Sequence, residues 1–416
     1  MPIYIRYGNL NVFMNASQQY NSFIELVDRD DYDNITYICT THHYGHFELP
    51  SRLPSRLQIL RCNNNMLERI PELPPTLKQL HCAENELTEL PELPANLEEL
   101  ACSHNPLGKL PKLPNKLKLL LVGNCALNKI PELPPTLERF DCSNNLDISK
   151  LPELPPILRH LECSYCNLAS LPKLPDTLEL LWCNYNEIGV LPELPDTLEE
   201  LDCQLNGLSE LPKLSHTQLY ELNCHSNVIK EIPELPITLL RLKCCDNFID
   251  ELPKLPSRLM KLQCSNCELR ELPKLPILLN YLDCSHNYLK WLPELPPALY
   301  VFSCNNNWLE SLPESITECQ FCNRHMYRNP NYSENPVAEE LRIYCGNNLE
   351  TYVLMKHMIK KWAVRTISKW FLDCKYNPKY KYCRKYIEEG YEDLYNDKKR
   401  EADNEINKEK NKIQKN

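Results

Sequence analysis

Cysteine and histidine at short spacing are the first residues of this chain that could do chemistry. Cys319-x-x-Cys322-x-x-His325 has a spacing that suits zinc, which binds thiolate sulfur and imidazole nitrogen. Three further cysteines follow at irregular spacing: Cys345, Cys374 and Cys383. A zinc site and the apolar filling of a cap both fit these residues. We expect the apolar filling and predict no metal site.

Carboxylates are the second group, and a histidine, His160, lies among them. General acid–base catalysis needs two such groups at a fixed separation in a dry pocket. These carboxylates are instead spread over many units of the chain: Glu99, Asp141, Glu162, Glu200, Asp202 and Glu221. No phosphate loop, dinucleotide motif or serine elbow is present, and the chain has only 8 glycines. We therefore expect no enzyme, no catalytic residue and no cofactor.

The chain has 22 cysteines, and most of them recur at a regular interval. Twelve share one position: Cys62, Cys82, Cys102, Cys142, Cys163, Cys183, Cys203, Cys224, Cys244, Cys264, Cys284 and Cys304. Val122 fills the same position once, so the position requires a small apolar group rather than a thiol. MPIYIRYGNL lacks a basic region followed by an apolar run. We expect buried, reduced thiols in an intracellular compartment, with a disulfide or metal ladder as the alternative.

A twenty-residue unit underlies this regularity, as in LKQLHCAENELTELPELPAN at 77–96. Its pattern is L-x-x-L-x-C-x-x-N-x-L-x-x-L-P-x-L-P-x-x, repeated about thirteen times. Only two intervals have 21 residues, one near Leu146 and one at 214–218. Such a period is typical of a leucine-rich-repeat solenoid, in which each unit buries its apolar face against its neighbours.

The first six positions of each unit alternate as a β-strand does. One strand per unit, always in the same direction, predicts a parallel sheet on the concave face, with strands about 4.8 Å apart. Asn at the ninth position can bond the exposed backbone, and stacked copies form a ladder. Cys replaces this Asn three times: Cys125, Cys166 and Cys267. The third and fifth positions face the concave side, and the fourth and sixth face the core.

The return segment L-P-x-L-P carries two prolines three residues apart. Proline removes a backbone donor and fixes φ, which excludes a helix and favours polyproline II. The predicted fold class is therefore an α/β-type solenoid, a leucine-rich-repeat horseshoe with an extended convex side and a small α-helical C-terminal region.

Five regions follow from the composition. Residues 1–56 read as an N-terminal cap with a degenerate repeat and a hairpin, and 57–316 as the array. Residues 317–350 read as a C-terminal cap and connector, 351–396 as helical, and 397–416 as a polar tail that is either a frayed helix or disordered. The stretch from Trp362 to Trp370 is basic and amphipathic, so it offers a secondary contact or packs on its companion helix.

The net charge of the chain limits the kinds of partner that the array can bind. The net charge is −10, and the tail is basic, so the array is more acidic than the whole chain. An acidic array disfavours nucleic acid, and no apolar stretch is long enough to span a membrane.

On the concave face, aromatic and apolar residues cluster among the carboxylates: His160, Tyr165, Leu180, Trp182 and Tyr185. This cluster and those carboxylates are the predicted protein-binding site; tolerated surface variation is the alternative.

The L-P-x-L-P unit resembles the short repeats of secreted bacterial effectors. Some of those effectors carry a ubiquitin-ligase domain with a Cys-x-Asp motif, which Cys319, Cys322, Cys345, Cys374 and Cys383 all lack. The unit L-x-C-S-x-N-x-L-x-x-L-P-E-L-P and the phrase WFLDCKYNPKYKYCR are also similar to leucine-rich-repeat proteins of giant amoeba-infecting viruses of the mimivirus type. That resemblance implies host or viral partners, in the host cytoplasm or the virion.

Together these features predict a non-enzymatic interaction scaffold that binds an unidentified protein on its concave face. Two other roles stay open at this point. One is an adaptor that links a target to host ubiquitination machinery, and the other is a structural component of the virion.

Overall fold

The computed structural model describes residues 30–40, 49–309 and Pro313, together with the backbone of Ile3–Tyr7 and Leu10–Met14. The predictions for 317–350, 351–396 and 397–416 lie outside the described residues. So do Cys319, Cys322 and His325, and the helix predicted around Trp362 and Trp370. The proposed domain boundaries stay predictions.

A single sheet of sixteen strands runs through the described residues. The strands are β1 Ile3–Tyr7, β2 Leu10–Met14, β3 Ile35–Cys39, β4 Ile59–Arg61, β5 Gln79–His81, β6 Glu99–Ala101, β7 Leu119–Leu121, β8 Arg139–Asp141, β9 His160–Glu162, β10 Leu180–Trp182, β11 Glu200–Asp202, β12 Glu221–Asn223, β13 Arg241–Lys243, β14 Lys261–Gln263, β15 Tyr281–Asp283 and β16 Val301–Ser303. From β3 to β16 each strand pairs in parallel with the next along the chain. The predicted leucine-rich-repeat solenoid is confirmed.

The predicted alternation of faces is also confirmed. Each repeat strand spans positions three to five, and its central residue is at most 1% exposed, as at Leu60, Phe140 and Leu201. The sixth position is buried throughout, including Val122 at 0%. The core is therefore a stack of leucines and small side chains behind the sheet, and one repeat shares it with the next.

Of the seventeen cysteines in the described part of the chain, sixteen are buried, as predicted. Burial raises the pKa of most sixth-position thiols, and that of Cys304 to about 12. At Cys102, Cys142 and Cys244 the pKa is raised first by a hydrogen bond with the ninth-position thiol of the next repeat, and then by burial. A buried thiol of high pKa is a poor nucleophile and serves as a small apolar group.

Asparagine at the ninth position forms the predicted ladder. The Asn85 amide donates to the carbonyls of Cys62 (2.9 Å), Cys82 (2.9 Å) and Ala83 (3.1 Å). Its Oδ1 accepts the N–H groups of Asn65 (3.0 Å) and Leu67 (2.9 Å). One side chain thus satisfies backbone groups in its own repeat and in the preceding repeat.

Cysteine preserves only part of this pattern. The Cys267 thiol donates to the carbonyl of Cys244 at 3.3 Å and lies 3.6 Å from the carbonyl of Ser265. The N–H groups of Asn247 and Ile249 face its sulfur. Sulfur is a weak acceptor and a thiol is a weak donor, so the hydrogen bonds of Cys267 are weaker than those of an asparagine amide at the same position.

The return segments between repeat strands contain neither helix nor strand in residues 49–309, as their prolines require. Each ends in a turn, for example from the Leu77 N–H to the Pro74 carbonyl at 3.0 Å. Both 21-residue intervals are absorbed outside the sheet, because Arg139 still pairs with His160 and Glu200 with Glu221. Concave residues therefore stay in straight rows across the array.

At the N-terminal end the predicted hairpin is present. β1 pairs antiparallel with β2, from Ile3 opposite Met14 to Tyr7 opposite Leu10, and β3 joins the other side of β1. The Asn65 amide donates to the Thr40 carbonyl, which ends the ladder in place of a further repeat. The chain direction thus reverses at β1, where the parallel sheet meets its antiparallel cap.

The ladder predicts a graded loss of stability. Asn85→Ala leaves buried backbone groups without partners and should lower the free energy of unfolding by about 2 to 4 kcal/mol. Asn85→Cys, which copies three natural repeats, should cost roughly half as much. Thermal and urea unfolding followed by circular dichroism measure both. Asn167→Ala, at an exposed residue beside the ladder, is the control and should change little. Equal losses for Ala and Cys would contradict this account.

Candidate functional site

Strand register sets which predicted site residues meet on the concave face. Trp182, at the fifth position of β10, pairs with Glu162 of β9 on one side and Asp202 of β11 on the other. The third-position neighbours on the same three strands are His160, Leu180 and Glu200. Since adjacent strands lie about 4.8 Å apart, the backbone positions of Glu162 and Asp202 lie roughly 10 Å apart, one on each side of Trp182.

Trp182 is more exposed than any fifth-position residue of the other described repeats. Its exposed fraction is 38%, and fifth-position residues elsewhere in β4–β16 are half-buried. Tyr165 and Tyr185, at the eighth position of adjacent repeats, are 40% exposed each. Their rings stack with centroids 4.0 Å apart and an interplanar angle of 13°. The three predicted aromatic residues are therefore all exposed: Trp182 is the last residue of β10, and the stacked tyrosines follow β9 and β10 by three residues.

Both tyrosines have a left-handed backbone conformation, which the sequence analysis did not predict. The eighth position has positive φ in all thirteen repeats, with 53° at Tyr165 and 56° at Tyr185. Asparagine tolerates this conformation, and bulkier residues adopt it at a cost. Asn occupies the position in five repeats, a signal that was present in the sequence: Asn64, Asn124, Asn144, Asn266 and Asn306. Tyrosine is thus held in strained backbone where asparagine would fit better.

The two carboxylates beside Trp182 differ in their partners. Glu162 accepts a hydrogen bond from Nη2 of Arg139 at 2.8 Å. Burial, together with the charge of Asp141, raises the pKa of Glu162, and Arg139 acts in the opposite direction. Burial also raises the pKa of Asp202, which accepts the Gln204 N–H at 3.3 Å. Both carboxylates therefore lie in surroundings that solvate a negative charge incompletely.

Three further predicted residues lie at the margin of this group. Asp141 is next to Glu162 in the same row, and its Oδ1 accepts the Ser143 N–H at 2.9 Å. Glu221 pairs with Arg241 at 2.7 Å. Glu99 lies four strands from Trp182, roughly 19 Å away, and contacts His81 at 3.1 Å. The structure thus separates Glu99 from the other predicted residues.

A serine, a histidine and an aspartate also meet on this wall, and none of them was singled out from the sequence. Ser226 Oγ lies 3.1 Å from Nε2 and 3.3 Å from Nδ1 of His225, and Nδ1 lies 3.0 Å from Asp246 Oδ2. A nucleophile activated by histidine lies on the axis of one ring nitrogen. Ser226 instead lies beside the ring, near both nitrogens, so these three residues do not have the geometry of a catalytic triad.

Among the described residues, no group of three or more His, Cys, Asp or Glu side chains could hold a metal ion. No helix within those residues is long and apolar enough to cross a membrane.

Comparison with known proteins places the fold. No protein-family model matches the chain, and no curated protein does. Among solved structures, YopM from Yersinia enterocolitica is 35% identical, covers 70% of this chain and 69% of its own, and has a TM-score of 0.62. YopM from Yersinia pestis, described as a leucine-rich effector protein, is 36% identical over 64% of this chain and 77% of its own, with a TM-score of 0.59. The chain belongs to the leucine-rich-repeat family.

This leucine-rich-repeat protein therefore has the fold of an interaction scaffold, as predicted. The similarity to the two effector structures supports the fold assignment, and it does not locate a binding site within the array.

The raised pKa of Asp202 predicts a pH-dependent stability. Between the unfolded and folded pKa values the folded chain binds more protons, so this carboxyl lowers stability as pH rises through that window. Asp202→Asn should raise the melting temperature at pH 7.5, and its advantage should shrink toward about pH 4, where an unfolded Asp titrates. Thermal unfolding across this range measures the difference. Asp176→Asn, at an exposed turn, is the control, and an advantage that grows on acidification would contradict the assignment.

Proposed function

We propose that this protein is a non-enzymatic scaffold that binds a protein partner on its concave face, with Trp182 and Tyr185 as anchors. The partner and this protein meet in a reducing, intracellular compartment. The general role follows from the fold of an interaction scaffold; the surface and the anchors are the new elements.

One observation carries the choice of surface. Trp182 is exposed in a row of half-buried residues, beside the stacked rings of Tyr165 and Tyr185. Tryptophan and tyrosine dominate the binding energy of protein interfaces, because they bury large areas with few rotatable bonds.

The rim of the site also fits an interface. Glu162 and Asp202 are the strand neighbours of Trp182, His160 is the strand neighbour of Leu180, and all three are half-buried. Interfaces commonly have an apolar centre and a charged rim that sets orientation. An open wall of this kind suits a macromolecule better than a small substrate, which needs an enclosing pocket.

The sixth-position thiols support the proposed compartment. They are buried, and their raised pKa values keep them protonated at neutral pH. They act as packing groups and need no covalent bond to stabilise the core. A reducing compartment preserves this state.

Capture from a cell lysate tests the anchors. The resemblance to giant-virus proteins makes an amoeba lysate in reducing buffer the source. The double variant Trp182→Ala, Tyr185→Asn should lose a captured protein, with affinity reduced about thirtyfold, as for a hot spot worth 2 kcal/mol. Leu119→Ala, on the same face three strands away, should retain it. Equal capture by wild type and double variant, both folded by circular dichroism, would refute the proposed surface.

A further inference from the structure

Charge on the concave face is uneven, and its most acidic part surrounds Trp182. At the third and fifth positions of β8 to β12 the wall has five carboxylates and one guanidinium. The carboxylates are Asp141, Glu162, Glu200, Asp202 and Glu221, and the guanidinium is Arg139. On β13 and β14 the sign reverses, with Arg241, Lys243 and Lys261. The aromatic group therefore lies inside an acidic segment with a defined end.

The carboxylates next to the indole are incompletely neutralised. Glu162 is paired with Arg139, whose side chain is 46% exposed. Asp202 takes hydrogen bonds from Gln204, which is neutral, and the charge of Lys243 acts on it without a hydrogen bond. Burial raises the pKa of both. A second cation placed over Trp182 would reach toward both carboxylates, which lie on the two neighbouring strands.

We infer that this site binds an arginine side chain of the partner, with its guanidinium over the indole of Trp182 and between Glu162 and Asp202. This inference rests on the proposed function and specifies its chemistry. A guanidinium stacks on an aromatic face and presents donors on its edges, which a compact ammonium group does less well. Carboxylates accept such donors in bidentate pairs.

The neighbouring basic segment makes the position specific. Arg241 is paired with Glu221 at 2.7 Å, and Lys261 lies over the Tyr281 ring at 4.7 Å. A basic peptide that moved along the array toward β13 would meet these cations and be repelled. The arginine of the partner is therefore confined to the segment around Trp182, and an acidic peptide is disfavoured there.

Selection from a random peptide library on phage tests the inference without a known partner. The full-length protein is the bait, and phage that also bind Trp182→Ala are removed. Selected peptides should share an arginine. Replacing that arginine by citrulline, which is planar and neutral, should weaken binding of the synthetic peptide at least tenfold. Glu162→Gln and Asp202→Asn should each weaken the arginine peptide, and Glu193→Gln, an exposed carboxylate of the return segment, should not.

The outcomes separate the two proposals. Peptides that depend on Trp182 but lack a basic residue, or that bind equally with citrulline, would overturn the arginine inference and leave the concave anchor intact. A library from which no peptide remains once phage that bind Trp182→Ala are removed would overturn both. A shared arginine with the citrulline loss supports both.

Discussion

The asparagine amide at the ninth position is the interaction on which the rest of this protein depends. Each one bonds backbone groups in two successive repeats, as Asn227 does with the carbonyls of Cys203 and Cys224 and the N–H of Leu208. It thereby fixes the distance and register between neighbouring strands. A one-residue slip would exchange core and surface along a strand, so this register decides which side chains reach the concave face.

The thin return segment follows from the short length of the repeat. Twenty residues suffice for a three-residue strand, a ladder residue and an extended return with two prolines, without a convex helix. The sixth position then admits only small apolar groups, which explains both the cysteines and Val122. The period also absorbs two insertions in its turns, so concave rows stay aligned and distant repeats contribute to one surface.

Periodicity predicted the strands, the buried cysteines and the asparagine ladder, because each is a local consequence of one repeat stacked on the next. It also grouped Trp182 with the carboxylates of the concave face, and the strand register then placed Glu162 and Asp202 on either side of it. It could not predict the stacked rings of Tyr165 and Tyr185, which depend on the left-handed backbone of the eighth position. Nor could it predict the pairing of Arg139 with Glu162 across the sheet, since side-chain direction decides among several neighbours of opposite charge.

The central claim is that the concave wall around Trp182 touches the partner. Site-specific photo-crosslinking tests it directly, with p-benzoylphenylalanine in place of Leu180 on β10 or of Glu193 on the return segment of the same repeat. Both proteins would be irradiated in the same lysate and the adducts compared by mass spectrometry. The account predicts a discrete adduct from position 180 that is absent from position 193. The same adduct from 193, with none from 180, would contradict it.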